Sequence, residues 1–415
     1  MTLVSWNMAE QAPTDEDCSF LKQYRNNDFV VFAIQECEDI RPRRNEGHRS
    51  RKWKELQSKS LGRSFRCFAR HKLGGLLVAV YGKQKLSKQI EGIQVIDVAC
   101  GVGNVLTNKG AICVAVRMRG KTFAVVNCHF AAHQSQVSER NADFRRVLEA
   151  IDSRLQPSWR TPSSALLQIA GGRGEPRPEK SGAPKRVGKR KAGAGGRARA
   201  GRARAPSSPA LSDLYPQLPR GASPTVEERQ WQSPFDAVAF VGDFNYRLDL
   251  PRLEIELVHE ALAARGADQG QLESTYAASQ VPAALDTLLL YDQLQRQRGI
   301  GEAFAGFREG PLLFPPSFKY DRENGCFDSS SKRRVPAWTD RVMFDSAKPA
   351  GTGMGVGASK SAGADGIARV AAIAEGLGDS GSAESPSALR LVKYYSVDSR
   401  TSDHRPVCAD FALHL

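Results

Sequence analysis

What the chain lacks sets the first limits. None of its 415 residues belongs to an apolar run approaching the ~20 residues that a bilayer-spanning helix needs. The amino terminus shows no charged-then-apolar leader pattern, and the carboxyl terminus, Ala412 to Leu415, offers no cysteine for a lipid anchor. Contact with a membrane is therefore expected through surface chemistry or a partner, and to be reversible. Cysteine is scarce: eight residues, scattered from Cys18 to Cys408 without a C-x-x-C pair, several of them inside apolar runs where a thiol behaves as a small hydrophobe. That pattern argues for a reducing, intracellular setting. No internal repeat is present. Hydrophobic residues at 41% and charged residues at 25% exclude global disorder and supply a sizeable core.

Negative charge is in shorter supply than positive, giving a formal balance of +14. The excess is local. Between Gly171 and Ala205 twelve Lys and Arg face two acids, so this one stretch carries ten of the fourteen net charges. Residues 171–225 are rich in Gly, Pro, Ala and Arg without apolar periodicity, and read as a disordered basic insertion. Three roles stay open for it: low-complexity expansion, docking to an anionic leaflet, or nuclear import through Pro184 to Lys191. Residues 346–389 form a second insertion, rich in Gly, Ala and Ser. The rest reads as a single domain over 1–415, interrupted twice.

Short β-branched runs with polar ends recur at 30–36, 76–82, 110–118, 122–130, 237–245, 342–344 and 407–413, the pattern of strands buried on both faces. Val137, Phe144, Val147, Leu148, Ile151 and Leu155 recur at three- and four-residue steps and predict an amphipathic helix after the fourth run. A second helix is predicted from Pro251 to about Gly266.

Polar residues collect where the apolar runs end: Asn7, Gln35 and Glu36, His129, Asp243 and Asn245, Asp340, and Asp403 with His404. Singly, each has a plain structural explanation as a turn cap or a solvated group. Together they supply what metal-assisted hydrolysis of a phosphate ester needs. Glu36 offers a hard oxygen ligand for Mg²⁺, Asp243 a carboxylate for the attacking water, and His404, oriented by Asp340, an imidazole for developing phosphate charge. Zinc is poorly served, because the His129/His133 pair sits at a strand exit rather than on a helix. A cysteine nucleophile is no better served, since Cys128-His129-Phe130 lacks the glycine-rich turn and following Arg that would activate a thiol.

Gly242 to Arg247 (GDFNYR) and Arg334 to Val342 (RVPAWTDRV) resemble the two signature motifs of the inositol polyphosphate 5-phosphatases. The likeness continues through residues 4–8, 34–38, 107–117, 127–133, 139–144, 291–294, 304–310, 314–321 and 402–407, and the stretch 129–144 looks closest to synaptojanin-type members. It implies an α/β, deoxyribonuclease I-like fold, a four-layer sandwich of two packed mixed β-sheets flanked by helices. It further implies Mg²⁺ held by Glu36 with help from Asn7, water activated by Asp243, and the scissile phosphate positioned by Asn245. His404 backed by Asp340 would stabilise that phosphate, with Asp403 near the metal and His129 facing the phosphate. Lys319, Lys332 and Arg334 match the cations expected around a neighbouring 4-phosphate, and Arg341 and Lys109 join the expected substrate contacts. Phe318 replaces a Tyr common in its segment, which removes one hydroxyl.

The substrate implied is a phosphoinositide or a soluble inositol polyphosphate, met by a monomer in the cytoplasm or at a transiently contacted anionic membrane surface. A nuclease of the same superfamily is the alternative, using the basic insertion on nucleic acid. The insertion has no aromatic residue between 171 and 205 to stack on bases, and the cation set around Lys319 has no evident use there, so nucleic acid is the weaker partner. A non-catalytic binding protein would show erosion at the metal and nucleophile positions, which are intact. The chain begins almost at the first of these runs, so a stand-alone catalytic domain and a truncated reading are both open.

Overall fold

The structure, a computed structural model, describes residues 1–16, 18–38, 47–101, 107–160, 231, 233–257, 287–346 and 388–414. The insertion expected at 171–225 lies outside the described residues, as does that at 346–389 apart from its two ends. Twelve strands are described: β1 (Thr2–Asn7), β2 (Phe29–Gln35), β3 (Phe65–Leu73), β4 (Leu76–Lys83), β5 (Ile90–Ala99), β6 (Gly110–Met118), β7 (Lys121–His129), β8 (Ala237–Asp243), β9 (Arg308–Glu309), β10 (Asp340–Ser346), β11 (Leu389–Ser396) and β12 (Val407–Leu413). They form two sheets of six, ordered β11-β12-β1-β2-β4-β3 and β5-β6-β7-β8-β10-β9. Each sheet is mixed: β1 and β2 run parallel in the first and β7 and β8 in the second, while their other pairings are antiparallel.

Strand periodicity explains how the sheets pack. Along β6, Ile112, Val114 and Val116 face inward and join Leu3, Val31, Val78, Val80, Val125 and Val241 in the core between the sheets. The alternate residues Ala111, Cys113 and Ala115 face outward, onto Phe144, Val147 and Ile151 of α2 (Val137–Arg154). On the outer face of the first sheet, α1 (His48–Leu61) brings Trp53 and Leu56 against Val4, Phe32 and Leu77. The result is helix, sheet, sheet, helix. Full burial of each large apolar side chain is worth about 1.5–3 kcal/mol, so truncating Trp53, wholly enclosed among these rings, is expected to cost about 3–5 kcal/mol.

The predicted α2 is present over its expected face. The helix expected at 251–266 is helical over 252–257, and its remainder lies outside the described residues. Five strands were not predicted, nor were α1 and the short helix Gln293–Gly299: the central strand β1, and four at the sheet edges. β3, β5, β9 and β11 are the edge strands of the two sheets, so they are mostly half-exposed and carry the mixed polarity of an edge. The buried face of α1 includes Ser50, Gln57 and Ser60, which hides its apolar stripe. No described helix is long and apolar enough to cross a membrane.

Candidate active site

The strand register builds the site. Gly110, His129, Asp243 and Asp340 stand side by side across β6, β7, β8 and β10, at one end of the second sheet. At the matching end of the first sheet Asn7 pairs with Gln35, and Glu36 follows. Gly242 makes the alignment sterically feasible, since a Cβ there would lie 2.1 Å from the Cys128 carbonyl oxygen and its φ is +142°. Behind the row, buried Gln35 donates to Asn127 Oδ1 at 2.7 Å, and Asn127 donates to the Ile34 and Leu77 carbonyls, tying the two sheets together.

Asp243 is the hub. Its Oδ2 accepts from Asn7 Nδ2 at 2.9 Å and from Asn245 Nδ2 at 3.1 Å, and it faces His129 Nε2 at 3.3 Å. Its Oδ1 accepts the Asn245 backbone N–H at 3.0 Å and retains further acceptor capacity. Burial alone would raise this carboxyl's pKa. The His129 hydrogen bond and the charges of His404, His129 and Lys109 overturn that and hold it well below the usual carboxylate range.

His404 lies opposite. Its Nδ1–H donates to Asp340 Oδ2 at 2.8 Å, and the same oxygen accepts the Ser317 and Thr339 hydroxyls at 2.7 and 2.9 Å. Burial pushes the imidazole down, yet Asp340 first, then Asp243 and Asp403, raise it to about 9, so it is a cation at neutral pH. The His404 backbone is pinned as well: its carbonyl accepts Trp6 Nε1 at 3.1 Å, and Ser402 Oγ accepts its N–H while donating to the Asn7 carbonyl. The ionised carboxylate and the charged imidazole are thus fixed by separate sets of partners.

The remaining expected residues fall into two groups. Asp403 pairs with Lys319 at 3.1 Å through Oδ2, while its buried Oδ1 has no hydrogen-bond partner among the described residues. Glu36 stands at the rim with φ +49° and its side chain 39% exposed, its Oε1 3.6 Å from His129 Nε2. Lys109 Nζ also meets His129 Nε2. That nitrogen either donates to Asp243 or accepts from Lys109, and it cannot do both at once. Lys332 and Arg334 line a groove of about 450 Å³ with Arg333, Gln134 and Pro251.

Arg341 requires correction. Neighbours along a strand face opposite ways, so placing Asp340 in the site turns Arg341 away from it. Its guanidinium is fully buried and committed to Glu309 at 2.6 and 2.7 Å and to Asp292 at 2.9 Å. Asn7, expected beside a metal, spends its amide on Asp243 and, through Oδ1, on the Ala9 N–H at 2.9 Å. Sequence reasoning gave no role to Ser317, Thr339, Ser402 or Arg247, although Thr339 and Arg247 stand inside the two signature motifs.

The donor set suits a hard cation that keeps most of its own waters. Among the described residues no three His, Cys, Asp or Glu side chains close into a protein cage. The Glu36 carboxylate and the unpartnered, buried Asp403 Oδ1 are the oxygens that would hold such a cation, in the number with which Mg²⁺ is ordinarily bound.

A family-wide sequence profile of endonuclease/exonuclease/phosphatase family 2 matches residues 4–410, and the chain belongs to that family. Type II inositol polyphosphate 5-phosphatase 15 of Arabidopsis thaliana is 29% identical over 301 residues, covering 70% of this chain and 21% of that protein. Synaptojanin of Caenorhabditis elegans is 22% identical over 391 residues, covering 93% of this chain and 23% of that protein. The chain therefore spans about a fifth of the length of these relatives. Among solved structures, the inositol polyphosphate 5-phosphatase domain of a synaptojanin, in complex with inositol (1,4)-bisphosphate and calcium ion, superposes with a TM-score of 0.57 at 21% identity, covering 99% of this chain and 82% of that one. Cimex nitrophorin, as a ferrous NO complex, superposes at 0.52 with 14% identity, covering 100% of this chain and 98% of that one. One sandwich thus serves unlike proteins, and function has to be argued from the site.

Proposed function

We propose that this chain is a Mg²⁺-dependent phosphatase that removes the 5-phosphate of an inositol phosphate or phosphoinositide headgroup. The observation that carries the reading is the pairing of an Asp243 held ionised with a His404 held protonated, within electrostatic reach of each other, with the cation Arg334 of the groove acting on Arg247 of the same site. Asp243 accepts a hydrogen bond from the attacking water at Oδ1, since Oδ2 is already crowded by donors, and aims its lone pair at phosphorus. Asn245 and His129 hold that carboxylate in place. The His404 imidazolium donates to a phosphoryl oxygen as charge builds there, and Asp340 keeps the ring oriented and charged. Mg²⁺ held through Glu36 and Asp403 would polarise the phosphate ester and ease departure of the inositol oxygen.

The groove supplies a reason for the substrate class. Lys332 and Arg334, with Lys319 at the site mouth, present three cations to an anion next to the scissile phosphate, which suits a 4,5-bisphosphate headgroup. The relatives named for inositol polyphosphates and synaptojanin support the same class. Action as a monomer from the cytoplasm on a transiently contacted anionic membrane completes the proposal, with the basic stretch 171–205 as the docking element. The test is phosphate release from inositol phosphates, phosphoinositide liposomes and single-stranded DNA, with and without Mg²⁺. Turnover of 5-phosphorylated inositides alone supports the reading, and cleavage of DNA alone overturns it. Deleting 171–205 should slow turnover on anionic liposomes and leave soluble substrate unaffected; equal loss on both would remove the docking role.

A further inference from the structure

Arg247 is the unassigned side chain most closely bound to the site. It is only 8% exposed. Its Nε–H donates to the Asn245 carbonyl at 3.1 Å, and its Nη2 donates to Asn245 Oδ1. The guanidinium lies over the Phe318 ring at 4.6 Å, and Asp243, Asp340 and Asp403 attract it while Arg334 repels it. It is therefore held on several sides against Asn245, with its Nη2 on the side-chain amide oxygen.

That amide has two ends of equal size and opposite polarity. The useful end of Asn245 is Nδ2, which donates to Asp243 Oδ2 and to the Phe130 carbonyl, both at 3.1 Å. In the reverse orientation Oδ1 would face those two acceptors, and Nδ2 would face a guanidinium. We propose that Arg247 is a positioning residue that locks the Asn245 amide, so that Nδ2 is always presented to Asp243. A charge-assisted bond to Oδ1 makes the reverse orientation costly at both ends of the amide. Phe318 contributes by bracing the guanidinium plane, a task that needs no hydroxyl and so suits Phe where its segment commonly has Tyr. Lysine cannot substitute, because its ammonium is a point charge without a fork or a stacking face.

The inference rests on the phosphatase reading, and the experiment separates the two. In the full chain, kcat and KM on inositol (1,4,5)-trisphosphate are measured for wild type, Arg247→Lys, Asn245→Ala and the double variant. Positioning predicts that Arg247→Lys lowers kcat about tenfold or more with KM changed less than about threefold. In the Asn245→Ala background the same change should cost less than about threefold, because the amide it positions is gone. Should Arg247→Lys fail to fold, Arg247→Gln enters the same cycle. Additive losses, unchanged kcat, or a raised KM at constant kcat would each overturn the inference, the last by showing direct substrate contact. Wild type inactive on the trisphosphate would instead overturn the phosphatase reading itself.

Discussion

Replacing Asp340 by Asn tests the charged state of the site while disturbing its shape little. Asn can still accept the Ser317 and Thr339 hydroxyls, and its amide nitrogen takes the place of Oδ1, which has no hydrogen-bond partner among the described residues. What disappears is the charge that, against burial, does most to lift His404 to about 9. Without it, burial carries the imidazole to or below its ordinary value of about 6.5. At pH 7.5 the protonated fraction then falls from about 97% to about 10% or less, a difference of about 3 kcal/mol between the two proteins. Measured kcat at that pH should drop at least about tenfold, and further where ring orientation is also lost. In a profile from pH 5.5 to 10 the wild type should lose activity as pH rises through about 9, whereas the variant should already be losing it near or below 6.5. Stability follows the same sign. The folded pKa is raised, so His404 contributes fully below about 6.5 and its contribution is gone once pH has passed about 9. The melting-temperature gap between the two proteins should therefore narrow as pH rises. A variant that keeps an alkaline limb near 9, or loses less than twofold at pH 7.5, would refute the reasoning.

Other outcomes follow from particular contacts. Arg341→Met leaves Asp292 buried without its cation and Glu309 with only Arg298 at 3.6 Å, and should cost about 3–5 kcal/mol in denaturant unfolding while the folded fraction keeps its KM; a raised KM in a stable variant would return Arg341 to the substrate. Glu36→Gln removes a rim carboxylate that the fold does not depend on. Its melting temperature should match wild type while the Mg²⁺ concentration for half-maximal rate rises about tenfold or more, and an unchanged requirement would move the metal elsewhere.

The parts of the fold legible in the sequence are those whose residues see one kind of environment. β6 and β12 match their predicted bounds because they lie inside their sheets, where most of their residues are buried. The edges escaped because an edge strand serves core and water together: β5 alternates Ile93, Val95 and Asp97 without a continuous apolar run. The site was legible as a set of strand-end polar residues, since buried strands leave few other places for carboxylates and imidazoles. Direction was the hidden part. Arg341 sits one residue beyond Asp340 in a signature motif, and only the register of β10 against β8 shows that the two side chains diverge. Ser317 and Ser402 were equally hidden, because a hydroxyl that completes a carboxylate's hydrogen bonds, as Ser317 does for Asp340, or bridges two backbone groups, as Ser402 does between His404 and Asn7, has no sequence signature apart from its partner.

The central claim is that Asp243 and His404 direct hydrolysis at one particular phosphate. Following inositol (1,4,5)-trisphosphate by phosphorus NMR in Mg²⁺ tests it most directly, because the spectrum identifies which ester is lost. The account predicts inositol (1,4)-bisphosphate and inorganic phosphate as the only products, with Asp243→Asn slower by at least about a hundredfold. Loss of the 1- or 4-phosphate, or an Asp243→Asn variant as fast as wild type, would contradict it.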